Sequence, residues 1–261
     1  MKRLYGFILL ALATSSGLPA LAQAKEETFH GDYAVSYLGL TLARSSFITT
    51  FKDDNFSVSG SLSSAGLAEL FDSTRGTIVA SGSVGKAAPL PMAFATDYVS
   101  GRKKQRTEIR FSRGNVSDTV NNPPLKKRGK DWVPLKDADL KSVADPISAT
   151  LIRAKNLSEV CGRTVKIYDG EMRADLALGA GSITPFSVQG YKGDAVTCSA
   201  RFVPVSGYRK GRRALEFLRD KSKITIAFAP LGTTGIYAPI YATVGTEIGT
   251  ITVKARRFEA K

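Results

Sequence analysis

The sequence has little of the material that metal, redox and acid–base chemistry require. It contains one histidine and two cysteines in 261 residues. A zinc site takes about four such ligands, and a Ser-His-Asp or Cys-His arrangement would depend on His30 alone. The carboxylates are scattered over strand ends and turns, where capping explains them. We therefore predict a protein that is not an enzyme, with no catalytic residues, no cofactor and no bound metal.

Long hydrophobic runs are also missing. The apolar stretch 4–13 covers about half of the ~20 residues that a membrane-spanning helix needs. It follows Lys2 and Arg3 and precedes Ala22-Gln23-Ala24, the arrangement of a secretory signal peptide. We predict a signal peptide over residues 1–24, cleavage after Ala24 and a periplasmic location. We expect no transmembrane segment in the mature chain.

The two cysteines lie far apart in the sequence, at Cys161 and Cys198. In an oxidising compartment two cysteines favour a disulfide over free thiols. The bridge would close a loop of about 38 residues and stabilise the fold by roughly 4 kcal/mol in the loop-entropy model. A redox dithiol is typically spaced C-x-x-C, and that spacing is absent here. We predict a structural disulfide.

No linker or low-complexity tract divides residues 25–261, which predicts a single β-rich domain. Short alternating segments such as 46–51, 107–111 and 223–228 recur between turn residues, as in an all-β fold. Two segments, 145–155 and 211–221, favour a helix. In the first, Asp145 can cap the helix and Pro146 fits its first turn. We predict a mainly β fold, with a curved, largely antiparallel sheet that forms a β-spiral or incomplete barrel around one or two short helices.

Acidic residues are outnumbered, with 23 Asp and Glu against 37 Lys and Arg, for a net charge of +14. Export removes nucleic acid as a partner and leaves anionic envelope components: lipid, lipopolysaccharide, peptidoglycan or an acidic envelope protein. The cluster at the start of the second helix is the strongest candidate for an anion or partner contact, because free N–H groups there also attract anions. Its members are Arg209, Lys210, Arg212 and Arg213. The alternative is a solvated helix start, or ion pairs with Glu216 and Asp220.

Several stretches resemble a periplasmic family of alphaproteobacteria and their relatives, catalogued as a domain of unknown function. They are residues 32–40, 144–149, 161–170, 191–198 and 228–235. More distantly, the architecture is similar to the periplasmic β-spiral envelope-integrity proteins and to the LolA and LolB lipoprotein carriers. This resemblance implies an incomplete barrel wrapped round a helical plug, and no catalytic residues.

Two functions follow as expectations. The first is an exported, non-enzymatic and monomeric envelope protein with a binding or structural role in cell-envelope integrity. Its hollow would be filled by its own apolar side chains, which we expect to be Ile147, Leu151, Ile152, Leu215 and Leu218. The alternative is a periplasmic carrier, with a lipid or acylated ligand in an apolar cavity that has a basic rim.

Overall fold

The computed structural model describes residues 26–66, 69, 73–85, 88–126 and 128–261. The predicted signal peptide therefore lies outside the described residues. No helix among those residues has the length and apolarity to span a membrane.

Seven long strands form a meander in the first part of the chain, and the alternating sequence pattern explains it, because every second side chain faces the interior. They are β1 (Glu26–Tyr37), β2 (Leu40–Lys52), β3 (Asn55–Ser64), β4 (Thr74–Val84), β5 (Pro89–Ser100), β6 (Lys103–Ser112) and β7 (Asn115–Asn122). The β2–β3 turn contains Asp53, whose φ of 54° is one that Asp tolerates.

The second part of the chain mixes long strands with very short ones. They are β8 (Trp132–Val133), β9 (Ile152–Arg153), β10 (Thr164–Tyr168), β11 (Arg173–Val188), β12 (Tyr191–Ser206), β13 (Tyr208–Arg209), β14 (Ile224–Pro230), β15 (Ile236–Thr246) and β16 (Gly249–Ala260). Three single 3₁₀ turns, Asp137–Leu140, Ser148–Thr150 and Leu157–Glu159, lie between them.

One antiparallel sheet contains nearly all of these strands. Its order is β10-β11-β12-β14-β15-β16-β1-β2-β3-β4-β5-β6-β7, and β9 adds to β15. Because β16 pairs with β1, the two parts of the chain join in the middle of the sheet. The sheet curls but does not close, which confirms the predicted incomplete barrel.

The gap between the edge strands β7 and β10 is bridged by Ser142–Ala144, which we call the seam. Val143 donates its N–H to the Gly114 carbonyl (3.0 Å), and Ala144 donates to the Lys166 carbonyl (2.9 Å). The Ala144 carbonyl then accepts from the Tyr168 N–H (2.9 Å). The seam thus satisfies backbone groups on both sides of the opening without a continuous ladder.

The interior of the barrel is filled with the protein's own side chains. Its buried cluster is dominated by phenylalanines from the strands, namely Phe29, Phe51, Phe56, Phe94, Phe111 and Phe258. Of the five side chains predicted to fill the hollow, Leu151 belongs to this cluster and Ile147 packs against it, half-buried. The sheet itself supplies most of the filling, because its inward positions carry large aromatic residues.

A second buried cluster lies on the outer face of β12, β14 and β15. Residues 152–163, which we call the covering segment, pack there. The neighbours Ala195 and Val196 belong to the interior and the outer cluster respectively, so β12 is buried on both faces. The predicted disulfide is present, with Cα atoms of Cys161 and Cys198 5.6 Å apart, and it ties the covering segment to β12.

The helix predicted over 145–155 is wrong. Asp145 does accept the N–H groups of Ile147 and Ser148 (2.9 and 2.8 Å), but the chain makes only the Ser148–Thr150 turn and then extends as β9. The extended backbone pairs with the start of β15, and just beyond β9 Ala154 donates its N–H to the Gly235 carbonyl. Leu151 and Ile152 consequently point to opposite sides rather than sharing a helix face.

The helix predicted over 211–221 is present as α1 (Arg213–Asp220). It has no buried residue and packs outside the barrel near β12 and β15. Leu215 and Leu218 are half-exposed there, so the expectation that they fill the hollow is wrong. The plug of the barrel is therefore the 3₁₀ turn that follows Asp145, and α1 is a peripheral element.

Candidate functional site

A groove of about 1220 Å³ opens at the end of the barrel beside the seam. Its walls come from the β4–β5 connection, the β6–β7 turn, the seam, the covering segment and the start of β10. This volume exceeds the ~300–1,000 Å³ that is common for small-molecule sites. Both apolar and charged residues form its walls.

The floor of the groove is apolar. Leu151 and Ile152 are almost completely buried beneath it, while Leu90 stands at its margin with 44% of its surface exposed. Further apolar walls come from Ala149, Ala154 and Val165. Such a surface favours a ligand with a hydrocarbon portion, because burying apolar area is worth roughly 25 cal/mol per Å².

The rim of the groove is basic. Five of its lining residues are cations and one, Glu159, is an acid; the cations are Arg113, Arg153, Lys155, Arg163 and Lys166. Like charges on one rim repel one another, and the repulsion is weakly screened beside an apolar surface. A bound anion would relieve that repulsion.

Two of the cations are anchored by the protein. Arg153 donates from Nη2 to Oδ1 of Asp54 at 2.7 Å, and Arg163 donates to the main-chain carbonyl oxygens of Arg153 and Glu159. The Nε atoms of both arginines are buried and have no hydrogen-bond partner among the described residues. The single acid is also engaged, since Glu159 accepts the Lys155 N–H at 3.1 Å.

The other three cations, Arg113, Lys155 and Lys166, are exposed and form no ion pair with any described residue. They come from three different places: the β6–β7 turn, the end of β9 and the edge strand β10. Arg113 is the first residue of its two-residue turn, at φ 50°, and Gly114 follows it. These three side chains are free to close on an anionic group.

The disulfide and a glycine hold the wall that carries Arg163. Cys161 lines the groove and Cys198 is fully buried beneath it. Gly181 on β11 faces the bridge, and a Cβ at this position would collide with Sγ of Cys161. The close approach of β11 to the disulfide therefore requires glycine.

Behind the groove, Asp145 is completely buried. Burial raises the pKa of its carboxyl, and the hydrogen bonds from Ser148 and Ile147 oppose that change. Because its contacts are the N–H groups of its own turn, Asp145 shapes the floor and does not face the ligand space. No three His, Cys, Asp or Glu side chains of the described ranges come together as a metal site would require.

The basic cluster predicted from the sequence lies elsewhere. Arg209 is in β13 and faces Asp131 at 3.8 Å, while Arg213 starts α1 and faces Glu247 at 3.7 Å. Arg209, Lys210 and Arg212 border a small hollow of about 300 Å³, whose lining does not include Arg213. Asp220, one of the expected partners, instead pairs with Arg219 at 2.7 Å. The anion contact proposed for this cluster stays a prediction.

Sequence reasoning missed the cations of the groove. They are spread over more than fifty positions as single residues, whereas the sequence drew attention to contiguous clusters. The one available signal was the stretch 153–166, where four cations flank a predicted disulfide cysteine.

A curled antiparallel sheet with a plug, a seam and an end groove defines a β-barrel-like protein. The chain belongs to the family described as protein of unknown function DUF3108, whose model matches residues 32–256. It is similar in fold to the crystal structure of a β-barrel-like protein of domain of unknown function DUF1849 from Brucella abortus. That likeness has a TM-score of 0.50 at 10% identity and covers 90% of this chain and 98% of the other. Among curated proteins, none matches the sequence.

Proposed function

We propose that this chain is a non-enzymatic binding protein that holds an anionic ligand with a hydrocarbon portion in the groove. The proposal includes export by the signal peptide over residues 1–24, a periplasmic location and a ligand from the cell envelope. It follows the carrier alternative, with the rim formed by the groove cations instead of the cluster at residues 209–213.

The observation that carries the proposal is the combination of an apolar floor with five cations and one acid on the rim. An entirely apolar ligand would leave Arg113, Lys155 and Lys166 without a partner, and a small inorganic anion would leave the floor exposed to water. A ligand with both features matches both surfaces, as expected for a site that combines apolar walls with a few convergent polar groups.

The filled barrel interior favours a second candidate, the envelope-integrity role in which the protein binds a partner without carrying cargo. Phenylalanines occupy the space that a carrier of the hollow-barrel type would leave for an acyl chain. A carrier function therefore depends entirely on the end groove, and an empty groove in the native protein would favour the structural role.

Fluorescence titration with 11-(dansylamino)undecanoic acid tests the proposal, because this probe joins a carboxylate to an apolar chain. We expect saturable binding at one probe per chain, and weaker binding of the methyl ester, which lacks the charge. The variant Arg113→Asn/Lys166→Gln removes two unpaired cations and should weaken binding roughly tenfold.

The matched control is Arg102→Asn/Lys104→Gln, which removes the same charge from another two-residue turn and strand, away from the groove. It should bind the acid as the wild type does. Equal weakening by both variants, or equal affinity for acid and ester, would contradict a groove that recognises the anionic group.

A further inference from the structure

Two neighbouring hairpin turns at the end of the strands away from the groove carry exposed aliphatic side chains. Leu38 in the β1–β2 turn is 78% exposed and Ile248 in the β15–β16 turn is 74% exposed. Leu40, the first residue of β2, is 56% exposed. We call these three residues the tip surface.

The two turns belong together in space. The hydroxyl of Tyr37, the last residue of β1, donates to the carbonyl of Ile248. Gly249 follows Ile248 and faces the ring of Tyr37 so closely that a Cβ there would lie 2.8 Å from it. The strands β1 and β16 that lead to the two turns are paired up to Tyr37 and Ile251. The aliphatic side chains therefore form one protruding patch.

Leucine is an unexpected residue at the first turn. Leu38 and Gly39 have φ values of 49° and 80°, as in the tight hairpin turn that normally takes Asn-Gly or Asp-Gly. A bulky side chain is disfavoured in that conformation, and Leu38 gains no burial in return. Apart from 38–39 and 247–248, the described chain has four two-residue turns between strands, and none of them carries a large aliphatic residue; they are 53–54, 101–102, 113–114 and 189–190.

Exposed cations lie on the elements that lead to the tip surface. Arg44 and Lys254 are exposed on the strands next to β1, both opposite Ala34. Lys223 is also exposed, and its carbonyl accepts the N–H of Gly245 near the end of β15. Arg213 at the start of α1 forms an ion pair with Glu247 of the second turn at 3.7 Å. We call these four cations the belt, and Glu247 offsets the charge of one of them.

We propose that the tip surface docks onto an anionic phospholipid bilayer, with Leu38 and Ile248 inserted into the interface and the cations against the head groups. Peripheral binding of this kind combines buried apolar area with attraction to anionic lipids, and each Lys or Arg near such a surface adds about fivefold in affinity. This docking is separate from ligand binding in the groove, and either can fail without the other.

The shape of the surface favours a bilayer over a protein partner or a second copy. Three aliphatic residues on protruding turns are far fewer than the ~20–30 residues a side of a standard protein interface. A bilayer needs no shape complementarity, and it matches the charge of the belt around the tips.

Cosedimentation of the full mature chain with vesicles tests this docking. We expect binding to vesicles that contain phosphatidylglycerol, little binding to pure phosphatidylcholine, and a loss of binding with rising salt. The variant Leu38→Asn/Ile248→Asn places a residue favoured by tight turns at position 38, so it should fold normally, and it should bind about tenfold more weakly or worse. The control Val79→Thr/Ile183→Thr alters half-exposed aliphatic residues of the strands and should bind as the wild type does.

A second pair of variants separates charge from insertion. Arg44→Gln/Lys254→Gln should weaken binding to the phosphatidylglycerol vesicles at least tenfold. Lys52→Gln/Lys192→Gln, with the same loss of charge at the other end of β2 and at the start of β12, should not. Equal binding by wild type and the turn variant would overturn the proposal. A change of oligomeric state in the turn variant, measured by light scattering, would also overturn the proposal, because the tips would then contact a second copy.

Discussion

The meander β1–β7 and the region from residue 123 to residue 235 differ in how their strands are connected and covered. In the meander, long strands follow one another through short turns, and alternate side chains are buried. In the second region, a covering segment, three 3₁₀ turns and a disulfide interrupt the strands, and β12 is buried on both faces. The meander therefore forms the frame, whereas the irregular region supplies most of the groove.

Removal of the disulfide should have the largest effect on stability, and it should affect the two regions differently. Cys161→Ser/Cys198→Ser should lower the free energy of unfolding by roughly 4 kcal/mol in the loop-entropy model, measured by urea denaturation. Because the bridge holds the covering segment, hydrogen exchange should quicken first in residues 152–163, while β2 and β3 stay protected. Uniform loss of protection would mean that the two regions unfold as one unit.

The second-largest effect on stability is expected from one member of a matched pair of turn variants. Asp145→Ala leaves the buried N–H groups of Ile147 and Ser148 without their acceptor and should cost about 2 kcal/mol. Asp53→Gly in the exposed β2–β3 turn suits the positive φ of that position and should change stability by less than about 0.5 kcal/mol. Thermal unfolding of both variants checks the difference, and equal costs would contradict a plug that depends on Asp145.

The dependence of stability on pH tests the burial of the Asp145 carboxyl in the plug. Burial raises the pKa of this carboxyl in the folded protein, so the folded state binds the proton more tightly than the unfolded state does. The wild type should therefore gain stability relative to Asp145→Asn as the pH falls through the folded pKa towards the ordinary Asp value of about 3.9. Urea midpoints of the two proteins over this pH range test it, and a relative loss of stability would show a lowered pKa.

The smallest effect on stability comes from the margin of the groove. Leu90→Ser and Met92→Ser change exposed apolar side chains of the same strand, and each should alter the unfolding free energy by less than about 0.5 kcal/mol. Of these two residues, only Leu90 lines the groove. Only the Leu90→Ser variant should therefore bind the dansylated acid more weakly, by severalfold. Calorimetry with the probe distinguishes them.

The sequence predicts the frame well because a meander is encoded locally. Alternation and turn residues such as Asp53 suffice to place the strands, and two cysteines leave a single pairing. The segment after Asp145 misled the prediction, since the cap and Pro146 favour a helix. The backbone instead pairs with the start of β15 and reaches Gly235 through Ala154, partners that no local pattern reveals.

The groove could not be predicted for the same reason. Arg113 and Lys166 are far apart in sequence and meet only because the seam joins the β6–β7 turn to β10. The tip surface, in contrast, was visible in principle. Leu38-Gly39 stands between two strands where Asn-Gly or Asp-Gly is usual, and an aliphatic residue at such a turn is a local departure from the pattern.

The most direct test of the groove as a ligand site is native mass spectrometry of the protein purified from its own cells, followed by organic extraction and lipid analysis. We expect one acidic, acyl-containing molecule per chain, and its loss from the Arg113→Asn/Lys166→Gln variant. A native mass equal to that of the oxidised mature chain alone, with no extractable ligand, would contradict it and favour the structural role in the envelope.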